Sequence, residues 1–289
     1  MSADLKKTLK KPSEISYNYA TLKITQSRID KGLLAIPVEL AESFPRQNGD
    51  IQVYLNNADV STPKRYSSYN SSTRECRIGG LKEWFISNNI ARDDEIVVQF
   101  LDNEHSIYRL IPEKKFIVAT KDLQHDFDNS TSETEAFRKV QKLSSWTLSN
   151  ENDVVINEFQ RLTNIPTSEK REYVIRNPVR SRETVPANLR SLLSTIYQGH
   201  CQICDFWFLR HNGLPYFETH HIEPELGHHP KNILVVCGNC HNQFEYARVR
   251  KARDSNNWLV QVFFNGKMYL MKQLLSSKKK VEFIKETYI

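Results

Sequence analysis

The stretch ETHHIEPELGHHP, residues 218–230, places four histidines between two C-x-x-C pairs. The residues around the first histidine pair, YFETHHIEP, are typical of a short strand, and ELGHHPKN is typical of a turn. The apolar run ILVVC (233–237) predicts a second strand, and GNCHNQFEYARV (238–249) predicts a helix. Strand, loop, strand and helix in this order would bring the histidines of the first strand and of the helix together beside the cysteines.

The cysteines on either side of this stretch are the expected ligands of one structural zinc ion. Cys201 and Cys204 form the first pair, and Cys237 and Cys240 the second. The spacing suits two knuckles that close on a tetrahedral ion. Redox-active pairs and unrelated core cysteines are the alternatives. We expect no disulfide framework, because the sequence carries no secretion signal.

The composition is that of a protein with two domains. The chain has 289 residues, enough for two cores, and its 40 Lys and Arg residues exceed its 34 Asp and Glu residues, giving a formal net charge of +6. This charge permits a polyanionic partner without requiring one. No segment approaches the roughly 20 apolar residues of a membrane span. We therefore expect a soluble, cytoplasmic protein without a membrane partner.

The N-terminal part of the sequence is rich in short strands. Residues 20–112 alternate apolar runs with turn residues, which favours a small barrel or sandwich. Two helices are predicted within it, PVELAESF from Pro37 and GLKEWFISNN from Gly80. We take residues 1–115 as this domain.

Residues 116–165 are predicted to connect it to a second domain at 166–289. The chain between 121 and 158 is polar and acidic, with a sparse helical pattern at 136–146, so we expect a connector that is partly helical and partly mobile. In the second domain, PANLRSLLSTIYQ from Pro186 predicts a helix, and Asn265-Gly266 predicts a hairpin.

The order C-x-x-C, H-H-I-x-P, Asn and C-x-x-C-H resembles the HNH nuclease family, whose ββα-metal finger cleaves DNA phosphodiesters. The resemblance covers about residues 166–250. It implies that His221 is the general base and that His220 and His241 hold one catalytic divalent ion, with Mg²⁺ expected and Mn²⁺, Ni²⁺ or Zn²⁺ also compatible with imidazole ligands. Asn232 would support catalysis by tying the loop and orienting the base.

The sequence departs from the family pattern at Glu245. Many family members carry another histidine one helical turn after the position of His241, whereas this chain has a glutamate there. Glu245 is therefore either a further metal ligand or partner on the same helix face, or a solvated surface residue. His228 and His229 are predicted to be loop residues, solvated or in contact with phosphate. An inactive zinc module that keeps the motif is the alternative to a nuclease.

The N-terminal domain also resembles a known module. The matching segments are Leu34–Pro37 with the following helix, Asn70–Arg74, Gly80–Phe85 and Asp93–Phe100. They are similar to the B-three pseudobarrel of plant transcription factors and to the recognition domains of some bacterial restriction endonucleases. The resemblance implies a seven-stranded β pseudobarrel with two short helices, in which two polar arms grip the major groove. The residues expected to contact DNA are Thr25, Gln26, Ser27, Arg28, Lys31, Lys64, Arg65, Tyr66, Ser67, Tyr69, Asn70, Ser71 and Arg74.

Together the two resemblances predict an α+β protein with a DNA-recognition pseudobarrel and an HNH nuclease domain that carries a zinc knuckle. They imply a type II restriction enzyme of a bacterial or archaeal cytoplasm, which hydrolyses double-stranded DNA at a specific site and leaves a 5′-phosphate and a 3′-hydroxyl. Arginines between Arg176 and Arg190 and the Lys278–Lys280 run would hold the backbone.

A palindromic target would need two active sites, so we expect a homodimer at least on DNA. A restriction enzyme of this kind is also compatible with a companion methyltransferase. A non-cleaving zinc-containing DNA-binding regulator and a homing or mobile-element HNH nuclease are the alternatives.

Overall fold

Eight strands form a single sheet in the N-terminal part of the chain. The computed structural model describes residues 9–10, 14–68, 76–166, 173–176, 179–182, 184–223, 225–274 and 281–283. The strands are β1 (Leu9–Lys10), β2 (Tyr19–Lys23), β3 (Leu34–Ile36), β4 (Gly49–Leu55), β5 (Thr62–Ser67), β6 (Cys76–Ile78), β7 (Glu95–Asp102) and β8 (Ile107–Pro112). Their order is β1-β2-β7-β8-β4-β5-β6-β3, and β4 and β8 are parallel while the other neighbours are antiparallel.

The seven strands β2 to β8 nearly close into a barrel. In their order β2 and β3 stand at opposite ends, yet they contact each other. Alternation along β4 explains the inside of this barrel, because Ile51 and Val53 are buried while Gln52 between them is exposed. The nearly closed seven-stranded sheet agrees with the predicted pseudobarrel, and the two-residue β1 adds to the edge of β2.

Among the described residues, three short helices, rather than two, interrupt the strands. They are α1 (Gln26–Lys31), α2 (Val38–Ala41) and α3 (Lys82–Ser87). The helix missing from the prediction is α1, which buries no residue and so lacks the apolar periodicity that marks a helix in sequence. It ends at Gly32, which adopts a left-handed φ of 64°. A Cβ there would lie 2.8 Å from the backbone nitrogen of Lys82, so the close approach of α1 to α3 requires glycine.

The chain from 113 to 163 is helical to a greater extent than its polar composition predicts. It forms α4 (Glu113–Asp128), α5 (Glu133–Thr147) and α6 (Glu151–Thr163). Phe116, Phe127, Ala136 and Val140 are buried, and they recur at a spacing that keeps one narrow side of each helix apolar. Ser132 accepts a hydrogen bond from the backbone N–H of Glu135 and caps α5. None of the described helices is long and apolar enough to cross a membrane.

The helical region is divided between two compact units. Residues 1–126 and 141–150 belong to the first unit, and residues 127–140 and 151–289 belong to the second. Each unit therefore takes part of the segment that the sequence suggests as a connector.

Where the structure describes it, the second unit has three small sheets and two further helices. The strands are β9 (Tyr173–Arg176), β10 (Val179–Arg182), β11 (Glu218–His221), β12 (Ile233–Val236), β13 (Val249–Asp254), β14 (Leu259–Phe264), β15 (Lys267–Leu270) and β16 (Val281–Phe283). The helices are α7 (Ala187–Tyr197) and α8 (Gly238–Tyr246), with a 3₁₀ turn at Pro230–Asn232. The predicted hairpin at Asn265-Gly266 is confirmed, because it joins β14 to β15 with φ of 49° and 88°.

The antiparallel β11–β12 pair and α8 carry His220, His221, His241 and Cys240, and Cys237 caps α8. His221 faces Ile233 across the pair, and all four residues of β12 are buried. Phe244 of α8 packs with residues of β12 and β14 in one apolar cluster. Its ring also stacks on His220, so the helix lies against β11, the strand that bears the histidine pair.

Candidate functional site

Four cysteines from two distant segments meet in one cluster. The sulfur atoms of Cys201, Cys204, Cys237 and Cys240 all lie within 4.8 Å of one another, and those of Cys204 and Cys237 are 3.7 Å apart. Zn–S bonds of about 2.3 Å in a tetrahedron separate the sulfurs by about 3.8 Å. A hydrogen bond from Cys240 lowers the pKa of Cys201 to about 4, which favours a thiolate. The cluster therefore has the dimensions and the donor set for a zinc ion.

Local backbone geometry holds each cysteine pair in place. Before the first pair, Gly199 has a φ of 78°, and a Cβ there would lie 2.6 Å from the Cβ of Pro215. The N–H of Cys201 donates to the carbonyl of Phe206, which closes the first knuckle. In the second pair Cys237 precedes α8, and its sulfur accepts a bond from the N–H of Cys240. The site is thus shaped by the backbone as well as by the cysteines.

Beside this cluster, β11 and α8 bring two histidines and a glutamate together. The ring of His220 stacks on Phe244 with the centroids 3.9 Å apart, and it meets the edge of His241 at 5.3 Å. Glu218 pairs with Nδ1 of His241 and accepts a hydrogen bond from the hydroxyl of Tyr216. Because residues two apart on a strand share a face, Glu218 and His220 both point toward α8.

The environment sets the charge of these groups. Burial, together with the nearby charges of His241 and Lys251, lowers the pKa of His220 to about 3, so this imidazole is neutral and keeps a lone pair at pH 7. The hydrogen bond from Tyr216, followed by that of His241, lowers the pKa of Glu218. A neutral imidazole next to an ionised carboxylate is a donor set that suits a divalent cation.

His221 lies on the other face of β11 and has different partners. Only 8% of the residue is exposed, and its Nε2 lies 3.1 Å from Nδ1 of His228. The sequence predicts His228 as a loop residue, solvated or in contact with phosphate; it does lie in the loop, but its Nδ1 contacts His221. His229 instead lies 3.1 Å from the carbonyl of Ile165. The two histidines of each pair are therefore in separate surroundings.

Asn232 ties the loop between β11 and β12. Its Nδ2 donates to the carbonyls of Glu223 and Gly227, and its Oδ1 accepts from the N–H of Glu223 at 2.8 Å. In addition, the backbone carbonyl of Asn232 accepts from the N–H of Ile222, which follows His221. The motif residue Pro224 lies outside the described residues. Asn232 thus joins both ends of the loop next to His221.

Glu218, and not Glu245, is the carboxylate in contact with His241. Glu245 is exposed on α8, whereas Glu218 reaches the imidazole from β11. The helix offers Glu245 at i+4 from His241, but the carboxylate that contacts His241 comes from β11 across the fold. The signal was present, because Glu-x-His places the carboxylate on the strand face of His220.

The histidines and Glu218 form a looser group than the cysteines. In the part of the chain that the structure describes, the cysteine cluster is the only set of three or more His, Cys, Asp or Glu ligand atoms within 4.8 Å. His220 and His241 therefore offer two ligands at most as they stand. Ions such as Mg²⁺ commonly take few protein ligands and complete their shell with water and substrate phosphate.

The residues predicted to contact DNA in the barrel have different accessibilities. Thr25, Gln26, Ser27 and Lys31 are exposed at the start and along α1, and Arg28 is partly buried. In the second arm Arg65 is exposed and Ser67 is partly buried, while Nζ of Lys64 donates to the carbonyl of Gly80. Tyr69, Asn70, Ser71 and Arg74 lie outside the described residues.

Tyr66 corrects the predicted DNA-contacting set. Only 1% of it is exposed, and its ring stacks on Phe44 inside the barrel. It lies on the inward face of β5, where alternation places every second side chain in the core.

The basic residues predicted to hold the DNA backbone beside the nuclease domain are only partly described. Nε of Arg190 donates to Glu133, and its guanidinium lies over the ring of Phe217. Lys278–Lys280 lie outside the described residues.

No protein-family model matches this chain, and no curated protein matches it. Among solved structures, it is similar to a chain of the Arabidopsis FUS3-DNA complex, with 13% identity and a TM-score of 0.27. The match covers 32% of this chain and 92% of that one. A likeness this slight identifies neither a family nor a function.

Proposed function

We propose that this protein is a metal-dependent endonuclease that cleaves double-stranded DNA at a specific site, as a type II restriction enzyme does. One observation carries the proposal: Glu218, His220 and His241 meet on one face of β11, beside the cysteine cluster, while His221 stands on the opposite face. Phosphodiester hydrolysis needs a base that deprotonates the attacking water and positive charge that stabilises the phosphate. In this arrangement His221 is available as the base on one face of β11, and the groups that could bind a cation lie on the other.

His221 is the proposed base. A water oxygen attacks phosphorus while its proton passes to the imidazole, and the bond from phosphorus to the 3′ oxygen breaks. The 3′ oxygen then takes a proton from solvent, which leaves a 5′-phosphate and a 3′-hydroxyl. His220 and His241 would hold a divalent ion, which would supply positive charge to stabilise the phosphorane-like transition state. Glu218 would orient His241 and keep its Nδ1 occupied, which would leave Nε2 as the ligand atom.

The barrel supplies recognition in this proposal. The exposed side chains of Gln26, Ser27 and Arg65 are of the types that read base edges and phosphates in the major groove. A short palindromic site would be cut by two copies of the chain, and a methyltransferase of the same specificity would protect the host.

A regulator that binds DNA through the barrel and uses zinc only for folding is the second candidate. The observation in its favour is that the described residues bring three ligand atoms together only at the cysteines. Such a protein would bind DNA without cutting it.

The decisive experiment incubates the protein with phage DNA in Mg²⁺, Mn²⁺ or EDTA and sequences the ends. We expect metal-dependent fragments with one common end sequence and 5′-phosphates. His221→Ala should lower the cleavage rate by about 10²- to 10⁴-fold, the usual contribution of a general base, with little change in DNA affinity. The absence of any metal-dependent cutting, or an unchanged rate in His221→Ala, would contradict the assignment.

Two glutamate variants test the metal side of the site. Glu218→Gln should raise the metal concentration needed for half-maximal cleavage by about 10- to 100-fold, the usual effect of removing a partner of a ligand. Glu245→Gln is the matched control on the neighbouring helix and should behave as the parent. If instead only Glu245→Gln changed the metal dependence, Glu245 would be the functional carboxylate.

A further inference from the structure

The first knuckle is followed by an exposed apolar loop that the proposed reaction does not use. Residues 204–214, here called the aromatic loop, are all exposed. Five of its large apolar side chains are between 43% and 56% exposed, namely Phe206, Trp207, Phe208, Leu209 and Leu214. Clustered apolar exposure of this kind marks a contact surface, because single exposed residues are ordinary but runs of them are not.

Backbone hydrogen bonds between the two sides of the aromatic loop hold it as a hairpin. Leu209 and Pro215 form a bridge, Arg210 N–H donates to Leu214 at 2.8 Å, and Tyr216 N–H donates to Phe208 at 3.0 Å. At its start the loop is anchored on Cys201 of the metal cluster. The apolar side chains are therefore presented outward by a fixed hairpin.

A chain of contacts connects the aromatic loop to the candidate active site. The ring of Phe208 stacks on Tyr216 with the centroids 4.7 Å apart. Tyr216 donates its hydroxyl proton to Glu218, and Glu218 pairs with His241. Any strand whose phosphate reaches His241 would pass close to this loop.

The charge around the aromatic loop suits a polyanion. From residue 200 to 217 the sequence has one acidic residue, Asp205. Its carboxylate lies 2.6 Å from Nζ of Lys272 and 3.1 Å from Nδ1 of His200, so its negative charge is compensated by the ammonium of Lys272. Arg210 and His211 are exposed at the tip. An aromatic surface with a basic tip and no uncompensated acid is complementary to nucleic acid.

We propose that the aromatic loop contacts DNA beside the scissile phosphate and that Trp207 stacks on a base exposed by distortion of the duplex. This rests on the proposed nuclease function. One face of the Trp207 ring lies against His200 at 5.1 Å, while 48% of the residue stays exposed. Apolar side chains that enter a duplex unstack bases and kink the helix, and ring stacking on a base does not depend on its identity. The loop would thus shape the cleavage position without reading sequence.

The test compares Trp207→Leu with Trp207→Phe on a duplex that contains the cleaved site, in EDTA. Leucine keeps the apolar area but cannot stack, whereas phenylalanine keeps a ring. We expect Trp207→Leu to weaken binding by about 5- to 150-fold, the effect of one lost stacked base. It should also abolish the permanganate reactivity of thymines next to the cleavage position, while Trp207→Phe retains both properties.

Three results would overturn the proposal. Equal binding and equal permanganate reactivity in both variants, with site-specific cleavage retained, would refute the stacking contact and leave the nuclease function intact. A wild-type protein that neither binds nor cuts DNA would refute both. Sedimentation velocity tests whether a second copy of the chain binds the aromatic loop instead of DNA. If Trp207→Leu and Leu214→Ala both convert a dimer into a monomer without changing DNA affinity per chain, the loop is a self-association surface.

Discussion

The barrel and the Cys–His module (residues 200–246) are stabilised in different ways. The buried cluster of the barrel is almost wholly apolar and contains the aromatic residues Phe44, Trp84, Phe85 and Tyr108. The cluster that includes the module is smaller, and three of its members are cysteines of the metal site. Because packed apolar area stabilises a fold without any ligand, we expect the barrel to fold without an ion, whereas the core of the module includes cysteines and should depend on one.

Removal of the zinc ligands should have the largest effect and should be confined to the module. Structural zinc contributes about 10–16 kcal/mol of folding free energy in small modules, far more than one packed side chain. We expect Cys237→Ser to lose the metal and to expose the amides of β11, β12 and α8 to rapid hydrogen exchange, while β4 and β7 stay protected. Metal analysis and exchange mass spectrometry measure both quantities.

Cys76→Ala is the matched control for that experiment. Cys76 is buried in the barrel and lies outside the metal cluster. It should keep the zinc content and the protection of the module. If the barrel strands lost protection together with the module in Cys237→Ser, the two regions would not be independent in the way their cores suggest.

A cavity in the barrel should destabilise the barrel and leave the Cys–His module unchanged. Phe85 is 1% exposed, and its replacement by alanine removes a whole ring from the core, which costs about 3–5 kcal/mol. We expect Phe85→Ala to lower the free energy of unfolding of the barrel and to leave zinc content unchanged. The adjacent Ile86 is 66% exposed on the same helix, so Ile86→Ala should change stability by less than about 0.5 kcal/mol. Denaturant titration separates the two, and equal losses would show that α3 is not packed as described.

The same difference explains what could be predicted from sequence. In residues 20–112 the alternation of apolar residues predicts short strands, and β4 at Gly49–Leu55 is one of them, because burial of one face leaves a period of two in the sequence. Helix α1 escaped detection because it buries nothing. The resemblance to the pseudobarrel family places Tyr66 among the DNA-contacting residues, although strand alternation turns it inward.

In the module, the spacing of the motif identified the cysteines and histidines but not all of the residues that contact them. The cysteines meet as their spacing suggested, since a short C-x-x-C turn brings two sulfurs together locally. The contacts of Glu218 with His241 and of His228 with His221 depend on how β11, the loop and α8 pack, and no sequence period encodes them. Side chains that contact across elements are visible only once the fold is known.

Asn232→Ala should give the smallest effect, because it removes polar contacts from one loop and leaves both cores intact. The variant loses the bonds to the carbonyls of Glu223 and Gly227 and to the N–H of Glu223, and backbone groups left unsatisfied in a partly buried loop cost about 1–3 kcal/mol. We expect faster amide exchange at residues 223–232 and a lower cleavage rate, with zinc retained. Asn256→Ala is the control, because Asn256 is exposed and its bond to Asp254 is made by the backbone N–H, which alanine keeps. If Asn232→Ala released zinc, the loop and the cysteine cluster would unfold as one cooperative unit. The hydrogen bonds of Asn232 within the loop indicate instead that the two parts are independent.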